Sequence, residues 1–211
     1  MDCVEVPFSS FSNKKAAIDG NFLIFKYLGA SNSMEAFIES IILFITKFKV
    51  EKIKMLFIFS NWFNHPNLEE VDLIEQPYKK KKLTKEHILG VRNIMDVFGI
   101  HYFVLNYGFQ SPFFSSVLSS LDVVDFCVTN KKECINTSSV IITEMKIKDD
   151  KVKVVFSNKK VKFDHSMVNV CVKMLEKEKV VSKEEIILFV EGLEFKGYWG
   201  PEYRDWILSS F

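Results

Sequence analysis

A dense group of lysines stands near the middle of the chain and is the clearest candidate for contact with phosphates. Its members are Lys79, Lys80, Lys81, Lys82 and Lys85. Positive charges this close together repel one another, and a polyanion relieves that repulsion. Aromatic residues lie nearby at Trp62, Phe63 and Tyr78, and such rings can stack on bases. These residue types together predict a nucleic-acid-binding patch made of the five lysines and Trp62.

The segment before the lysines is acidic, and it supports a second interpretation. Residues 61 to 76 contain four acids and no lysine or arginine; the acids are Glu69, Glu70, Asp72 and Glu75. In this second interpretation the lysines lie on the solvated first turn of a helix, and the acids of the same chain neutralise them. Long connections without clear periodicity are unusual in compact domains and often functional. Residue types alone do not separate the two interpretations.

Basic residues in this chain are almost all lysines. Of the 28 lysines and arginines, arginine occurs at positions 92 and 204 only, and the formal net charge is +1. The planar guanidinium fork, which binds phosphate through two parallel hydrogen bonds, is therefore nearly absent. Any nucleic-acid contact must come from a local patch of lysine point charges. Such binding is directed at the backbone and is sensitive to salt.

Other signatures of catalysis or metal binding are missing from the sequence. The cysteines have no CxxC spacing, which favours reduced thiols over a disulfide framework or a zinc site. They are Cys3, Cys127, Cys134 and Cys171. The histidines have no pattern, and there is no GxSxG, GxxxxGK[ST], HExxH or GxGxxG motif. We therefore expect no structural metal and no cofactor.

Length and composition indicate one globular domain. The chain has 211 residues, of which 48% are hydrophobic and 26% charged. This length suits a single domain over 1–211. The apolar stretches are short, and the first 14 residues lack the pattern of a secretory leader. We expect an intracellular protein, cytoplasmic or nuclear, with no membrane contact.

Hydrophobic patterning predicts an alternation of strands and helices. Short apolar runs at 15–19, 54–59, 102–105 and 126–128 are typical of buried strands. Apolar stripes at helical spacing predict helices over 34–48 and 84–98, and a third helical segment lies near 113–121. Alternating strands and helices form parallel sheets, so we expect an α/β fold with a mostly parallel central sheet flanked by helices.

The last third of the chain has a different pattern. Segments 140–148, 151–156 and 161–163 read as strands joined by polar turns, which adds a hairpin to the sheet. Ser182 and Glu185 form a capping box that predicts a helix over 183–191. A last amphipathic piece covers 202–208.

Several short segments, in this order, are similar to motifs of one nuclease family. They are Ala17-Ile18-Asp19, Ile58-Phe59-Ser60-Asn61, Gly99-Ile100-His101-Tyr102, Val128 to Cys134, Gly192 to Phe195 and Gly197 to Pro201. The chain thus resembles the flap endonuclease (XPG-like) nucleases, a PIN-related family, over residues 15 to 208. The resemblance implies a flap-endonuclease-like sheet, an arch shortened to 61–83 and a truncated helical duplex-binding motif at 192–211.

The resemblance also implies where a two-metal site would lie. Enzymes of this family hold two divalent ions with clustered carboxylates. The matching positions here are Asp19, Ser60, Gly108, Gln110, Lys131, Glu133 and Glu194. Few of them are acids, and a lysine beside a divalent ion is strongly repelled. Asp19 alone is equally well explained as the cap of the following helix.

These observations lead to one main hypothesis and two alternatives. The main hypothesis is a catalytically inactive flap-endonuclease-like protein that binds structured nucleic acid, RNA or DNA, or a ribonucleoprotein. The first alternative is an interaction protein that binds the ribosome as a dormancy or translation factor. The second is an active metal-dependent nuclease whose acids have moved, drawing on Glu69, Glu70 or Asp72.

Overall fold

The sheet is centred on the short apolar segments that the sequence predicts as buried strands. The computed structural model describes residues 3–60, 63, 83–105, 111–120, 123–130, 140–145 and 150–156. In chain order its elements are β1 (Cys3–Pro7), β2 (Lys15–Asp19), α1 (Gly20–Ala30), α2 (Met34–Val50), β3 (Lys54–Phe59), α3 (Lys85–Val97), β4 (His101–Val104), α4 (Ser111–Ser120), β5 (Phe126–Val128), β6 (Val140–Met145) and β7 (Lys151–Phe156). A 3-10 turn, Phe8–Phe11, joins β1 to β2.

The described strands form one mixed sheet in the order β1-β7-β6-β5-β2-β3-β4. β2 pairs in parallel with β3 on one side and β5 on the other, and β4 and β6 extend the parallel part. β7 runs antiparallel to both β6 and β1. The predicted mostly parallel sheet with an added hairpin is therefore confirmed.

Local sequence signals explain where the long helices begin and end. The hydroxyl of Ser33 accepts a hydrogen bond from the amide of Ala36 and caps α2. Lysines in the last turn of α2 suit the negative end of the helix dipole. Helix α3 is followed by Gly99, whose φ of 60° is a conformation that glycine adopts without strain.

Helices cover both faces of the sheet. Phenylalanines dominate the core beneath α1, α2 and α3, where the rings of Phe44 and Phe48 lie 4.5 Å apart. Side chains alternate along a strand, so Asp19 points away from the face that carries Ile18. Asp19 contacts Ser111 of α4, which places α4 on the opposite face of β2. In the described part of the chain no helix has the length and apolarity to cross a bilayer.

The structure corrects several expected boundaries and adds one strand. Helix α2 continues to Val50, β4 begins one residue earlier than expected, and α4 covers 111–120 instead of 113–121. β1 was not predicted, because this short edge strand is mostly exposed and shows no buried face. The expected strand at 161–163 and the helices at 183–191 and 202–208 lie outside the described residues.

Candidate functional site

The strand order has a switch point between the central strands of the sheet. The chain leaves β2 for β3 on one side and later returns to place β5 on the other side. In open parallel sheets, ligands bind where the order reverses in this way, at the carboxyl edge. Asp19 ends β2 and lies opposite Ile58 of β3, so Ser60 is two residues beyond that pair. The structure therefore places Asp19 and Ser60 at the carboxyl ends of neighbouring strands.

The Asp19 carboxylate is enclosed by hydrogen-bond donors from three parts of the chain. Its Oδ1 accepts the amide of Phe22 at 3.1 Å and the hydroxyl of Ser111 at 2.6 Å. Its Oδ2 accepts the hydroxyl of Thr129 at 2.9 Å. The residue is 2% exposed. Asp19 is thus the N-cap of α1 and also joins α1, α4 and the end of β5.

Ser60 takes part in a second hydrogen-bonded pair beside this carboxylate. The side-chain amide of Asn21 donates to the Ser60 hydroxyl at 2.6 Å, and the Ser60 backbone amide donates to Asn21 Oδ1 at 3.2 Å. The pair ties the end of β3 to the first turn of α1. Where the resemblance expects a second carboxylate, the structure has a neutral hydroxyl engaged with a neutral amide.

A stack of planar groups lies next to these polar contacts. The rings of Phe59 and Phe63 are parallel, with centroids 3.9 Å apart, and the Arg92 guanidinium lies 5.1 Å from the Phe63 centroid. Arg92 also donates a hydrogen bond to the backbone carbonyl of Phe63. A Cβ atom at Gly20 would overlap the Phe59 ring, so glycine is needed at the start of α1. We call Phe59, Phe63 and Arg92 the planar stack.

The planar stack connects two segments that are distant in sequence. Phe63 follows the end of β3, and Arg92 lies in the middle of α3, beyond the segment that the resemblance identifies as the arch. Tyr102 packs edge-on against both rings from β4. One of the two arginines in the chain is therefore partly buried and lies over the ring of a fully buried phenylalanine.

Lys26 supplies positive charge near the carboxyl end of β6. Its ammonium donates to the backbone carbonyl of Met145 at 3.2 Å and lies over the ring of Phe22. Burial lowers the pKa of Lys26, and the Glu144 carboxylate offsets part of that effect. Lys26 therefore packs against the sheet and does not extend into solvent as a free charge.

The described donors at this edge do not fit a two-metal centre. Such a centre needs several carboxylates that face a common space. Within the described ranges no group of three or more histidine, cysteine, aspartate or glutamate residues could hold a metal ion. Asp19 is the carboxylate that this part of the structure places at the expected position, and protein donors already contact both of its oxygens.

The structure describes some of the predicted site residues. Asp19 and Ser60 lie together at the carboxyl edge, and Lys85 is exposed at the first position of α3. The other predicted positions fall outside the described residues; they are Trp62, Lys79, Lys80, Lys81, Lys82, Gly108, Gln110, Lys131, Glu133 and Glu194.

Sequence reasoning missed the polar partners of this edge. Ser111 and Thr129 reach Asp19 from 92 and 110 residues away in the chain. Thr129 directly follows the apolar strand β5. A hydroxyl residue at the carboxyl end of a buried strand could have indicated a polar partner for Asp19.

Comparison with known proteins identifies the fold. No protein-family model and no curated protein matches the sequence. The catalytic core of Rad2 in complex with DNA substrate is similar at a TM-score of 0.57 and 14% identity, over 98% of this chain and 75% of that one. Human GEN1 in complex with Holliday junction DNA is similar at 0.54 and 14%, over 90% and 52%. Flap endonuclease-1 from Methanococcus jannaschii is similar at 0.52 and 13%, over 93% and 76%. This chain therefore has the fold of the flap endonuclease (XPG-like) nucleases.

Proposed function

We propose that this protein is a catalytically inactive relative of the flap endonucleases that binds structured nucleic acid, either free or within a ribonucleoprotein. The observation that carries the proposal is the enclosure of Asp19 by Phe22, Ser111 and Thr129. A carboxylate that ligates a metal directs an oxygen towards the ion. Here the donors come from the protein, and the carboxylate holds the edge of the sheet together.

The neighbouring position supports the same conclusion. A carboxylate at position 60 would face Asp19 across two parallel strands, whereas Ser60 and Asn21 form a neutral pair there. These contacts stabilise the scaffold without a metal ion. The neutral pair at this position supports the proposal that the protein keeps the fold without the metal chemistry.

Binding of nucleic acid is supported by the fold and by the lysine group. Two of the similar structures, Rad2 and GEN1, are complexes with DNA. In this chain the lysine group ends at Lys85, which is exposed at the first position of α3. We propose Lys79, Lys80, Lys81, Lys82 and Lys85, with Trp62, as the contact surface. Partners of this kind require neither a metal nor a cofactor in the protein.

The proposal is tested by measuring affinity for labelled flap, duplex and single-stranded substrates over a range of salt concentrations. Replacing Lys79, Lys80 and Lys81 by alanine should weaken binding and flatten the dependence on log salt by about 0.9 for each phosphate that the variant no longer neutralises. A matched triple variant of Lys14, Lys49 and Lys151 removes the same charge from exposed positions elsewhere. It should leave the salt slope unchanged. Equal losses of affinity in both variants would refute the assigned surface.

The question of inactivity needs a separate measurement on the same protein. Incubation of each substrate with Mg²⁺ or Mn²⁺ should give no cleavage. Metal-dependent cleavage that disappears in Asp19→Ala would show an active nuclease with relocated acids, and the proposal of inactivity would be wrong.

The alternative partner is the ribosome, bound by the protein acting as a dormancy or translation factor. Lysine-rich surfaces bind ribosomal RNA through its backbone as they bind other nucleic acids. Co-sedimentation with ribosomes at low and high salt, beside binding to free duplex and single strands, separates the two. Retention on ribosomes at high salt without affinity for free nucleic acid would favour the ribosome.

A further inference from the structure

A second surface lies at the opposite edge of the sheet, where β2, β3 and β4 begin. Backbone hydrogen bonds hold its loops together: Asn13 donates to the carbonyl of Glu51, and the amide of Lys54 donates to the carbonyl of Lys14, both at 2.9 Å. Asp125 binds the amide of Lys15 through its side chain at 2.7 Å. Segments distant in sequence are thereby fixed side by side.

Lysines outnumber acids at this edge, where the acids are Glu51 and Asp125. Lys15, Lys52, Lys54 and His101 are all exposed there. Among the described residues, no carboxylate lies within ion-pair distance of the ammonium of Lys15, Lys52 or Lys54. In a chain whose formal charge is only +1, this is a local concentration of unneutralised lysines.

Beside these lysines lies an open groove of about 480 Å³ with an apolar floor. Lys15, Lys54 and His101 line the groove together with a set of apolar residues, which form its floor; these are Ala16, Met55, Leu56, Tyr102, Phe103, Val123 and Val124. Val123 is 46% exposed although it is a large aliphatic residue. We call this feature the amino-edge groove.

We propose that the amino-edge groove binds an acidic segment of a partner protein that inserts aliphatic side chains into the floor. The lysines at the rim complement carboxylates of the partner. Its aliphatic side chains match the alanine, leucine and valine residues of the floor. Bases require exposed ring faces for stacking. Tyr102 and Phe103 also line the groove, and the Tyr102 ring packs at a steep angle against Phe59 and Phe63. The aliphatic lining favours a protein segment, and an oligonucleotide probe tests the other occupant.

This surface is independent of the proposed nucleic-acid interface. The parallel strands carry Asp19 at their carboxyl ends and Lys15, Lys54 and His101 at their amino ends. Helix α3 ends where β4 begins, so Lys85 at its first position lies on the far side of the sheet from the groove. The protein can therefore hold nucleic acid near Lys85 and a protein partner at the groove. It then acts as an adaptor, and its scaffold supplies two unrelated surfaces.

The test uses the full-length protein and a synthetic fluorescent peptide of roughly four helical turns, with leucines at positions i, i+3, i+4 and i+7 and glutamates elsewhere. A second peptide carries lysines in place of the glutamates, and a single-stranded oligonucleotide serves as the third probe. We expect binding of the acidic peptide only. Amide resonances of residues 15–16, 54–56 and 123–124 should shift on its addition.

Variants assign the binding to the groove. Lys54→Glu and Val123→Asp should each lower the affinity for the acidic peptide by about fivefold or more. The first variant places a carboxylate beside the acids of the peptide, and the second places one in the apolar floor. Lys151→Glu and Val97→Asp make the same changes at exposed positions on β7 and α3, and should have no effect. Circular dichroism of each variant checks that it is folded.

Three results would overturn the proposal: no binding of the acidic peptide at millimolar concentration, equal losses of affinity in the control variants, or oligonucleotide binding that Lys54→Glu abolishes. The last result would assign the groove to nucleic acid. None of them affects the nucleic-acid interface at the lysine group, which is tested by its own triple variant.

Discussion

Removing the Asp19 side chain should destabilise the protein, and the sign of this effect distinguishes a structural acid from a metal ligand. Asp19→Ala removes the cap of α1, which costs about 1 kcal/mol. It also removes the acceptor of two buried hydroxyls, each bond to a charged group contributing about 1.5–3 kcal/mol. The variant no longer has to desolvate a buried charge, and this offsets part of the loss of stability. We expect a net loss of about 3 kcal/mol, or a fall in Tm of about 6–12 °C for a chain of this size.

The opposite sign is expected where an acid belongs to a metal centre. When the metal ions are absent, the clustered carboxylates of such a centre repel one another, and the protein tolerates this repulsion for the sake of activity. Removing one carboxylate relieves the repulsion. Such a substitution leaves the metal-free protein as stable as before or makes it more stable. Added metal ions then raise the Tm of the native protein and not that of the variant.

Urea unfolding, followed by circular dichroism in a chelating buffer, provides the measurement. Asp19→Asn is the matched control, because asparagine is a good N-cap and its amide can donate to the Thr129 hydroxyl. We expect it to cost about 1 kcal/mol. Thr129→Val should cost about 1.5–3 kcal/mol alone and much less in the Asp19→Ala background. An unchanged or higher midpoint for Asp19→Ala, together with stabilisation of the native protein by Mg²⁺ or Mn²⁺, would refute the structural role of Asp19.

Three further predictions concern the elements around the site. Gly20→Ala should destabilise the protein by about 2 kcal/mol in urea unfolding, because the new methyl group overlaps the ring of Phe59; an unchanged midpoint would contradict the close packing. Burial lowers the pKa of His87 from its ordinary value of 6.5, and Glu86 partly offsets this. As the pH falls, the unfolded chain therefore binds a proton at His87 before the folded protein does. The free energy of unfolding should decrease below about pH 6.5 until the folded-state pKa is reached. This decrease should be smaller in His87→Gln, in which glutamine retains a capping-box residue. Arg92→Lys should cost about 1 kcal/mol by thermal unfolding, since lysine cannot make the planar stacking interaction although it keeps the charge; full stability in that variant would show that the charge alone suffices.

Short-range patterns in the sequence were sufficient to predict much of the fold. The apolar runs at β2 and β3 and the helical stripe of α2 indicated their elements correctly, because burial of a strand or one helix face leaves a periodic signature over a few residues. The cap of α1 by Asp19 was also readable, since the residue and the amide that it accepts are three positions apart. The edge strand β1 left no such signature, because almost all of its side chains are exposed.

What the local sequence did not contain was the set of contacts made across the sheet. Ser111 and Thr129 become partners of Asp19 only because α4 packs on β2 and β5 pairs with it, and the stack of Arg92 on Phe63 depends on how α3 meets the end of β3. The amino-edge groove likewise exists because three strands that begin far apart in the chain start at one edge. Most strands and helices could be read from the sequence, since their formation depends on neighbouring residues. Which distant side chains meet was decided by strand order, and therefore only by the tertiary structure.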